Sequence, residues 1–272
     1  MKQKIRNILI YIFFFTGIPY LRFLVLRKKE PIVRVLALHD VRSEERESFI
    51  KFIDFLKEKF NIISPEDFEN KNFNHKKINV LLTFDDGYKS WVDIVAPILN
   101  ERELSALFFI TSGFVETRGN VELEKEFCKN NLFISHRTPL SWKEVAFLVE
   151  KYPKNRIGGH TLNHVNLAKF SSSKQRFELR ENKKILEEKI RKNISYCAYP
   201  FGIPSLHIDR QIPKIAKEVG FHGAFTTEIN FTSISGDQFM FARTCLEHTT
   251  APILSWMWIF GGYDIISKLR RI

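Results

Sequence analysis

The stretch NVLLTFDDGY, residues 79–88, decides the reading of this chain: an apolar run of strand character ends in two adjacent carboxylates, Asp85 and Asp86, followed by a glycine. Two carboxylates side by side repel each other unless a proton, a cation or a metal neutralises one of them. A bare DDG also fits an ordinary turn whose acids cap a loop, so the rest of the chain has to decide. Outward from this run, VRVLAL (33–38), SALFFIT (105–111) and ISYCAY (194–199) are short apolar stretches rich in β-branched and aromatic residues, and they read as buried strands. Helices are expected between them. Phe49, Phe52, Ile53, Leu56 and Phe60 recur at helical spacing, Ser141 and Glu144 form a capping box ahead of WKEVAFLVEKY, and residues 174–192 supply a third helical pattern. Strands alternating with helices predict an α/β fold with a mostly parallel sheet or a (β/α) barrel, whose active site collects at the carboxyl ends of the strands. Asp85 and Asp86 then stand at that rim.

Composition sets the outer limits. With 272 residues, 44% of them apolar and 26 phenylalanines, the chain can bury one large core. No linker, repeat or low-complexity tract marks a second globular domain. A formal charge of +11 favours anionic partners, of which membrane surfaces, acidic glycans and nucleic acid are the general classes. Cys128, Cys197 and Cys245 are scattered and odd in number, which excludes a disulfide framework and a paired CxxC metal site. Residues 8–26, ILIYIFFFTGIPYLRFLVL, lie between basic flanks. A bilayer span needs about 20 apolar residues, whereas Gly17, Pro19 and Arg22 interrupt this run, and no small-residue cleavage site follows it. The expectation is a peripheral or monotopic membrane-associating segment over 1–30, with a helix packed on the core as the alternative. A catalytic domain over 31–250 follows. The aromatic and basic segment 251–272 is either a second amphipathic contact or a closing helix. Which membrane face is occupied stays open, because positive charge flanks the apolar run on both sides.

Further ligands stand in GGHTLNHVNL, residues 158–167. His160 and His164 are four apart, so a helical turn would project both imidazoles from one face, and imidazole with carboxylate suits zinc and similar divalent ions. A third element, AYPFG, occupies 198–202.

In that order, TFDDGY (83–88), HTLNH (160–164) and AYPFG (198–202) resemble the three principal motifs of the polysaccharide deacetylase family, the NodB-homology or carbohydrate esterase family 4 domain. The resemblance covers roughly residues 33–250. It implies a distorted (β/α) barrel, one divalent metal, commonly zinc, held by Asp86, His160 and His164, and Asp85 as general base. It also implies an oxyanion donor at the Phe201 N–H, in a substrate region that includes Tyr199. Two departures stand out. The acid of the common pattern is a histidine near the C-terminus, for which His248 is the late candidate, whereas His39 after the first strand resembles the permuted branch that includes biofilm exopolysaccharide deacetylases. His39 is the expected acid. The family's arginine beside the base is replaced by Ala198, and Arg243 could supply that support, although a solvated surface arginine is the default.

The expected activity is removal of N-acetyl or similar acyl groups from amino sugars of a glycan or a lipid-linked saccharide, by water activated with a metal and an Asp base. A membrane surface is the expected second partner, and nucleic acid is not expected. A catalytically weak glycan-binding module and a metal-dependent phosphoester hydrolase remain as alternatives.

Overall fold

The computed structural model describes residues 11–264 and 267. The parts of the terminal segments at 1–10, 265–266 and 268–272 lie outside the described residues. Among the described residues eight strands form one sheet: β1 (Val33–Leu38), β2 (Asn61–Ile63), β3 (Asn79–Asp86), β4 (Leu107–Ile110), β5 (Arg156–Gly159), β6 (Tyr196–Ala198), β7 (Gly223–Phe225) and β8 (Thr244–Cys245). Every ladder is parallel, in the order β7-β6-β5-β4-β3-β1-β8, with β2 also pairing with β3. Both faces of β1 and β3 are buried, which is why these strands are continuous apolar runs in the sequence.

The sheet curls but does not close by a ladder between its end strands. One irregular segment bridges the gap instead. Phe241 pairs with Phe225 of β7, and a few residues later Thr244 and Cys245 run beside Leu36 and Ala37 of β1. The expected barrel is therefore a curled parallel sheet whose open side is crossed by residues 241–245. Its inner face carries Val33, Val35, Leu81, Leu107, Phe109, Phe225 and Phe241, while Leu36, Leu82, Phe84 and Phe108 face the helices. Side chains alternate along a strand. From Leu81 inward, the next two residues on the inner face are Thr83 and Asp85.

The helix Arg46–Lys59 buries Phe49, Phe52, Ile53 and Leu56, and Phe60 just beyond it is buried as well. Ser141 and Glu144 close the expected box at the start of the helix Trp142–Lys151, and the third pattern forms the helix Ser172–Ile190. The two terminal segments meet each other. Phe14 packs 4.7 Å from Trp256 and Phe23 packs 5.2 Å from Phe260. Within the C-terminal segment, the helix Pro252–Ile259 buries Leu254, Met257 and Ile259. Among the described residues no helix is long and apolar enough to cross a membrane.

Candidate active site

A cavity of about 640 Å³ opens at the carboxyl ends of the strands, where His39, Asp85, Asp86, His160, His164 and Phe201 converge with His248. The two aspartates diverge at the end of β3. Asp85 keeps the strand's alternation and points inward, while Asp86 takes a left-handed backbone (φ 88°) that turns its carboxylate elsewhere; Gly87 continues the turn at φ 115°, a conformation that favours glycine. Backbone strain of this kind collects at functional sites.

His160 and His164 do reach one point, by a route other than the expected helical turn. Residues 160–166 form a loop, in which Thr161 (φ 62°) and His164 (φ 51°) are left-handed. Glu178 pins the loop to the helix behind it, accepting from the Asn163 N–H and the Asn163 side-chain amide at 3.0 Å each. β5 approaches its neighbours so closely that a Cβ on Gly158 would lie 2.5 Å from the Phe109 ring, and one on Gly159 would lie 2.5 Å from Asn182 Oδ1. Only glycine fits there.

Asp86, His160 and His164 offer ligand atoms that all lie within 4.8 Å of one another. Asp86 Oδ1 stands 3.5 Å from His160 Nε2 and 3.4 Å from His164 Nε2. Each imidazole turns its Nδ1 to a carbonyl oxygen at 2.8 Å, Ala198 O for His160 and Asn131 O for His164. A carbonyl accepts only, so Nδ1 carries the proton and the Nε2 lone pair faces Asp86. Tyr88 donates to Asp86 Oδ2 at 2.6 Å, whereas Asp86 Oδ1 is buried without any hydrogen-bond partner. Two aimed lone pairs beside an orphaned carboxylate oxygen fit a divalent cation. Burial pulls the His160 pKa down to about 4, against the opposing pull of Asp85, so the ring is neutral at ordinary pH, the form in which its Nε2 can offer a lone pair.

Asp85 is held differently. Burial alone would raise its pKa, but the Arg243 guanidinium, His160 and His39 outweigh it and leave Asp85 at about 2. Arg243 donates to both carboxylate oxygens at 2.6 and 2.8 Å, to Thr83 Oγ1 at 3.1 Å, and through Nε to Thr226 O at 3.0 Å. Arg243 is therefore no solvated surface arginine: it is fully buried in the segment that crosses the sheet's open side, and its guanidinium pairs with Asp85 in place of the arginine that Ala198 replaces. Tyr199 borders the cavity, and its hydroxyl donates to Phe239 O at 3.2 Å. Phe201 is left-handed (φ 61°), and its N–H makes no hydrogen bond among the described residues. Gly202 next to it has no room for a Cβ, which would meet Thr227 N at 2.7 Å.

Both candidate acids border the cavity. His39 is exposed, and its charge helps to hold Asp85 down. His248 is buried edge-on to Phe49 at 5.7 Å, with Glu45 Oε2 3.4 Å away. Tyr88, Asn131 and Glu178 were not singled out in the sequence as site residues. Tyr88 was the findable one, two residues beyond Asp86; Asn131 acts through a backbone carbonyl that no side-chain pattern reveals.

The family model for polysaccharide deacetylases matches residues 72–224. The Bacillus subtilis (strain 168) polysaccharide deacetylase relative YxkH is 24% identical over 163 residues, 60% of this chain and 49% of that protein, so the chain matches about half the length of this curated relative. Among solved structures, the fold is similar to that of the Streptococcus pyogenes deacetylase PplD in complex with acetate (TM-score 0.67, 20% identity, 85% of this chain and 99% of that one). It is also similar to IcaB from Ammonifex degensii (TM-score 0.61, 21% identity, 84% and 98%) and to the BpsB deacetylase domain from Bordetella bronchiseptica (TM-score 0.63, 17% identity, 79% and 96%). With the three motifs gathered around one cavity and the family model covering more than half of its residues, the chain belongs to the polysaccharide deacetylase family.

Proposed function

We propose that the protein is a metal-dependent hydrolase that removes N-acetyl or similar acyl groups from the amino sugars of a glycan or a lipid-linked saccharide. The observation that carries this reading is the pairing of a three-ligand cluster containing an orphaned carboxylate oxygen with a second carboxylate held anionic beside it. Asp86, His160 and His164 would hold the ion, zinc being the one this donor set suits. Bound there, a divalent cation supplies Lewis acidity for the acyl carbonyl and for water.

The protein's own groups do the rest. Asp85 stays ionised and takes a proton from the attacking water, while Arg243 fixes both of its oxygens so that it accepts without turning. The Phe201 N–H donates to the oxygen that becomes negative in the tetrahedral intermediate. His39, on the exposed side of the cavity, protonates the departing amine. A phosphoester reading with two metals needs more carboxylates than the single three-ligand cluster found among the described residues. A pure glycan-binding module would have no use for the buried Arg243–Asp85 pair.

We also propose a peripheral membrane location. It is supported by the exposed Ile12, Phe15, Leu21 and Val25 on the N-terminal segment, next to the exposed Arg27, Lys28 and Lys29. Acetate release and product mass, measured on N-acetylhexosamine oligomers and polyprenyl-linked amino sugars with chelated controls, test the activity. His160→Ala or His164→Ala is expected to abolish turnover and metal binding together; full activity after verified metal removal would refute the mechanism. Sedimentation with anionic vesicles tests the location, and a protein that stays wholly in the supernatant would refute it.

A further inference from the structure

Each of the three candidate ligands is fixed by one further hydrogen bond, and the three supports are unequal. His160 and His164 lean on the carbonyl oxygens of Ala198 and Asn131, which no side-chain substitution removes. Asp86 leans on a side chain, the Tyr88 hydroxyl, which donates to Oδ2 at 2.6 Å. Tyr88 is only 3% exposed and borders the catalytic cavity. It has little freedom to turn away. The left-handed Asp86 and Gly87 reverse the chain at the end of β3, so the side chain two positions on meets the Asp86 carboxylate. The turn is tied to the segment 138–140, since the Leu140 N–H donates to Gly87 O at 2.8 Å and the Lys89 N–H donates to Thr138 O at 3.0 Å. The Tyr88 ring stands edge-on to Phe114 at 5.8 Å and to Trp91 at 6.4 Å. The carboxylate it meets is asymmetric. Oδ2 accepts a short bond from a held donor, while Oδ1, 3.5 and 3.4 Å from the two imidazole Nε2 atoms, accepts none.

We propose that Tyr88 is a positioning residue that commits Asp86 to the cation through Oδ1 alone. This rests on the metal-site part of the proposed function. A carboxylate can give a divalent cation one oxygen or both. The bond from Tyr88 draws on the lone pairs of Oδ2 that a second metal contact would need, and it keeps the carboxylate from rotating Oδ2 toward the imidazoles. A catalytic metal site keeps a position open for water or substrate, and a carboxylate closing on the ion with both oxygens would compete for it. Tyr88 thus acts on the site through Asp86 and without touching substrate. The two adjacent aspartates are sorted by their neighbours in the same way. Arg243 engages both oxygens of Asp85, whereas Tyr88 engages one oxygen of Asp86 and leaves the other for the cation.

The test is Tyr88→Phe, which removes the hydroxyl and keeps the ring against Trp91 and Phe114. Zinc affinity, measured on metal-free protein by competition with a chromophoric chelator, should fall by about ten-fold, the usual cost of losing an outer-shell partner. The visible spectrum of the cobalt(II)-loaded protein should change as well, because Asp86 can then offer its second oxygen. With metal saturating, kcat for acetate release should fall while KM keeps its wild-type value. Unchanged zinc affinity with an unchanged cobalt spectrum would overturn the proposal. A rise in KM with metal binding intact would overturn it too and make Tyr88 a substrate contact. Phe114→Leu is the packing control, since it loosens the same ring and leaves the hydroxyl in place. It should lower the melting temperature more than Tyr88→Phe does and keep the zinc affinity; an equal loss of zinc affinity in both variants would reduce Tyr88 to packing and overturn its role. Metal binding needs no substrate, so the two readings fail separately. If zinc binds and Tyr88→Phe weakens it but no amino sugar is deacylated, the role of Tyr88 stands and the deacetylase reading falls. A wild-type protein that binds no zinc overturns both.

Discussion

Two buried arginine–aspartate pairs stand at opposite ends of the sheet, built from nearly the same parts. Arg243 at the carboxyl ends takes Asp85 with two nitrogens, donates Nε to a carbonyl and NH1 to a threonine hydroxyl, and lies 5.3 Å from the centre of the Phe109 ring. Arg34 at the start of β1 takes Asp264 with two nitrogens at 3.1 and 2.9 Å, donates Nε to Ile259 O and NH1 to Thr244 Oγ1, and lies 4.0 Å from the centre of the Phe231 ring. The difference is what remains of each carboxylate. Asp264 receives a further donor, Arg22 at 2.5 Å, and is sealed among arginines. Asp85 borders the cavity, and beyond Arg243 the His160 imidazole lies 3.9 Å from its Oδ2. One pair is a clamp that joins the N-terminal segment to the closing helix. The other holds a carboxylate in its charged form and leaves it a side toward the cavity.

The largest expected effect lies at the open pair. Asp85→Asn should lower amide turnover by about 10²–10⁴-fold, the usual worth of a positioned base, with the metal retained. Asp86→Asn should lose metal affinity as well, and metal analysis beside acetate release distinguishes the two. Equal metal loss in both would mean that Asp85 is a ligand too, and the contrast between the pairs would collapse.

At the sealed pair the effect should fall on stability. Arg34→Met leaves Asp264 with Arg22 alone and should cost about 3–5 kcal/mol in urea unfolding. The double change Arg34→Met with Asp264→Leu should recover part of it, because the two fully buried charges are then both removed and only the partly exposed Arg22 loses its carboxylate. At saturating substrate and below its unfolding temperature the Arg34→Met protein should keep its kcat. A kcat loss like that of Asp85→Asn would show that the clamp also shapes the site.

The two histidines sharpen the contrast between an open and a sealed group. His39→Ala should slow amide cleavage by about 10²-fold and spare an activated aryl ester, whose leaving group needs no proton. His248, buried against Phe49 and Glu45, should show no such selectivity. A selective loss in His248→Ala instead would move the acid to the C-terminal motif.

Acidification of metal-free protein should reveal the smallest effects, in two stages. His160 is neutral in the fold with a pKa near 4 against the usual 6.5, so the unfolded chain binds more protons between those values. Its contribution is intact above pH 6.5 and declines as pH falls toward 4, by roughly 3 kcal/mol. Asp85 titrates near 2 against 3.8, so the stability from its pairing is intact above pH 3.8 and is lost as pH falls through 2, by about 2 kcal/mol. Urea midpoints across pH 2–8 measure both stages. His160→Gln should remove the first stage and leave the second; a single transition in both proteins would contradict the separate environments.

The sequence by itself determined the elements whose cause is local. β1 and β3 are continuous apolar runs, the helix Arg46–Lys59 has its buried stripe at helical spacing, and the start of Trp142–Lys151 is written in Ser141 and Glu144. The three motifs and their order also identified the family and gathered Asp86, His160 and His164 as one cluster. Only the tertiary structure decided the rest. β5, RIGG, carries no strand signature, because its glycines are there to let Phe109 and Asn182 approach, and closeness to a neighbouring element leaves no periodic trace. β7 and β8 have three and two residues and exist through their partners alone. The histidines meet through a loop held by Glu178, with left-handed residues that spacing could not announce. Asp85 and Arg243 are 158 positions apart. Ala198 stands where the family's arginine is expected, so the guanidinium comes from the segment that crosses the open side of the sheet. A buried carboxylate must find a cation wherever the fold brings one within reach, and the separation in space that satisfies it has no counterpart in the order of residues along the chain.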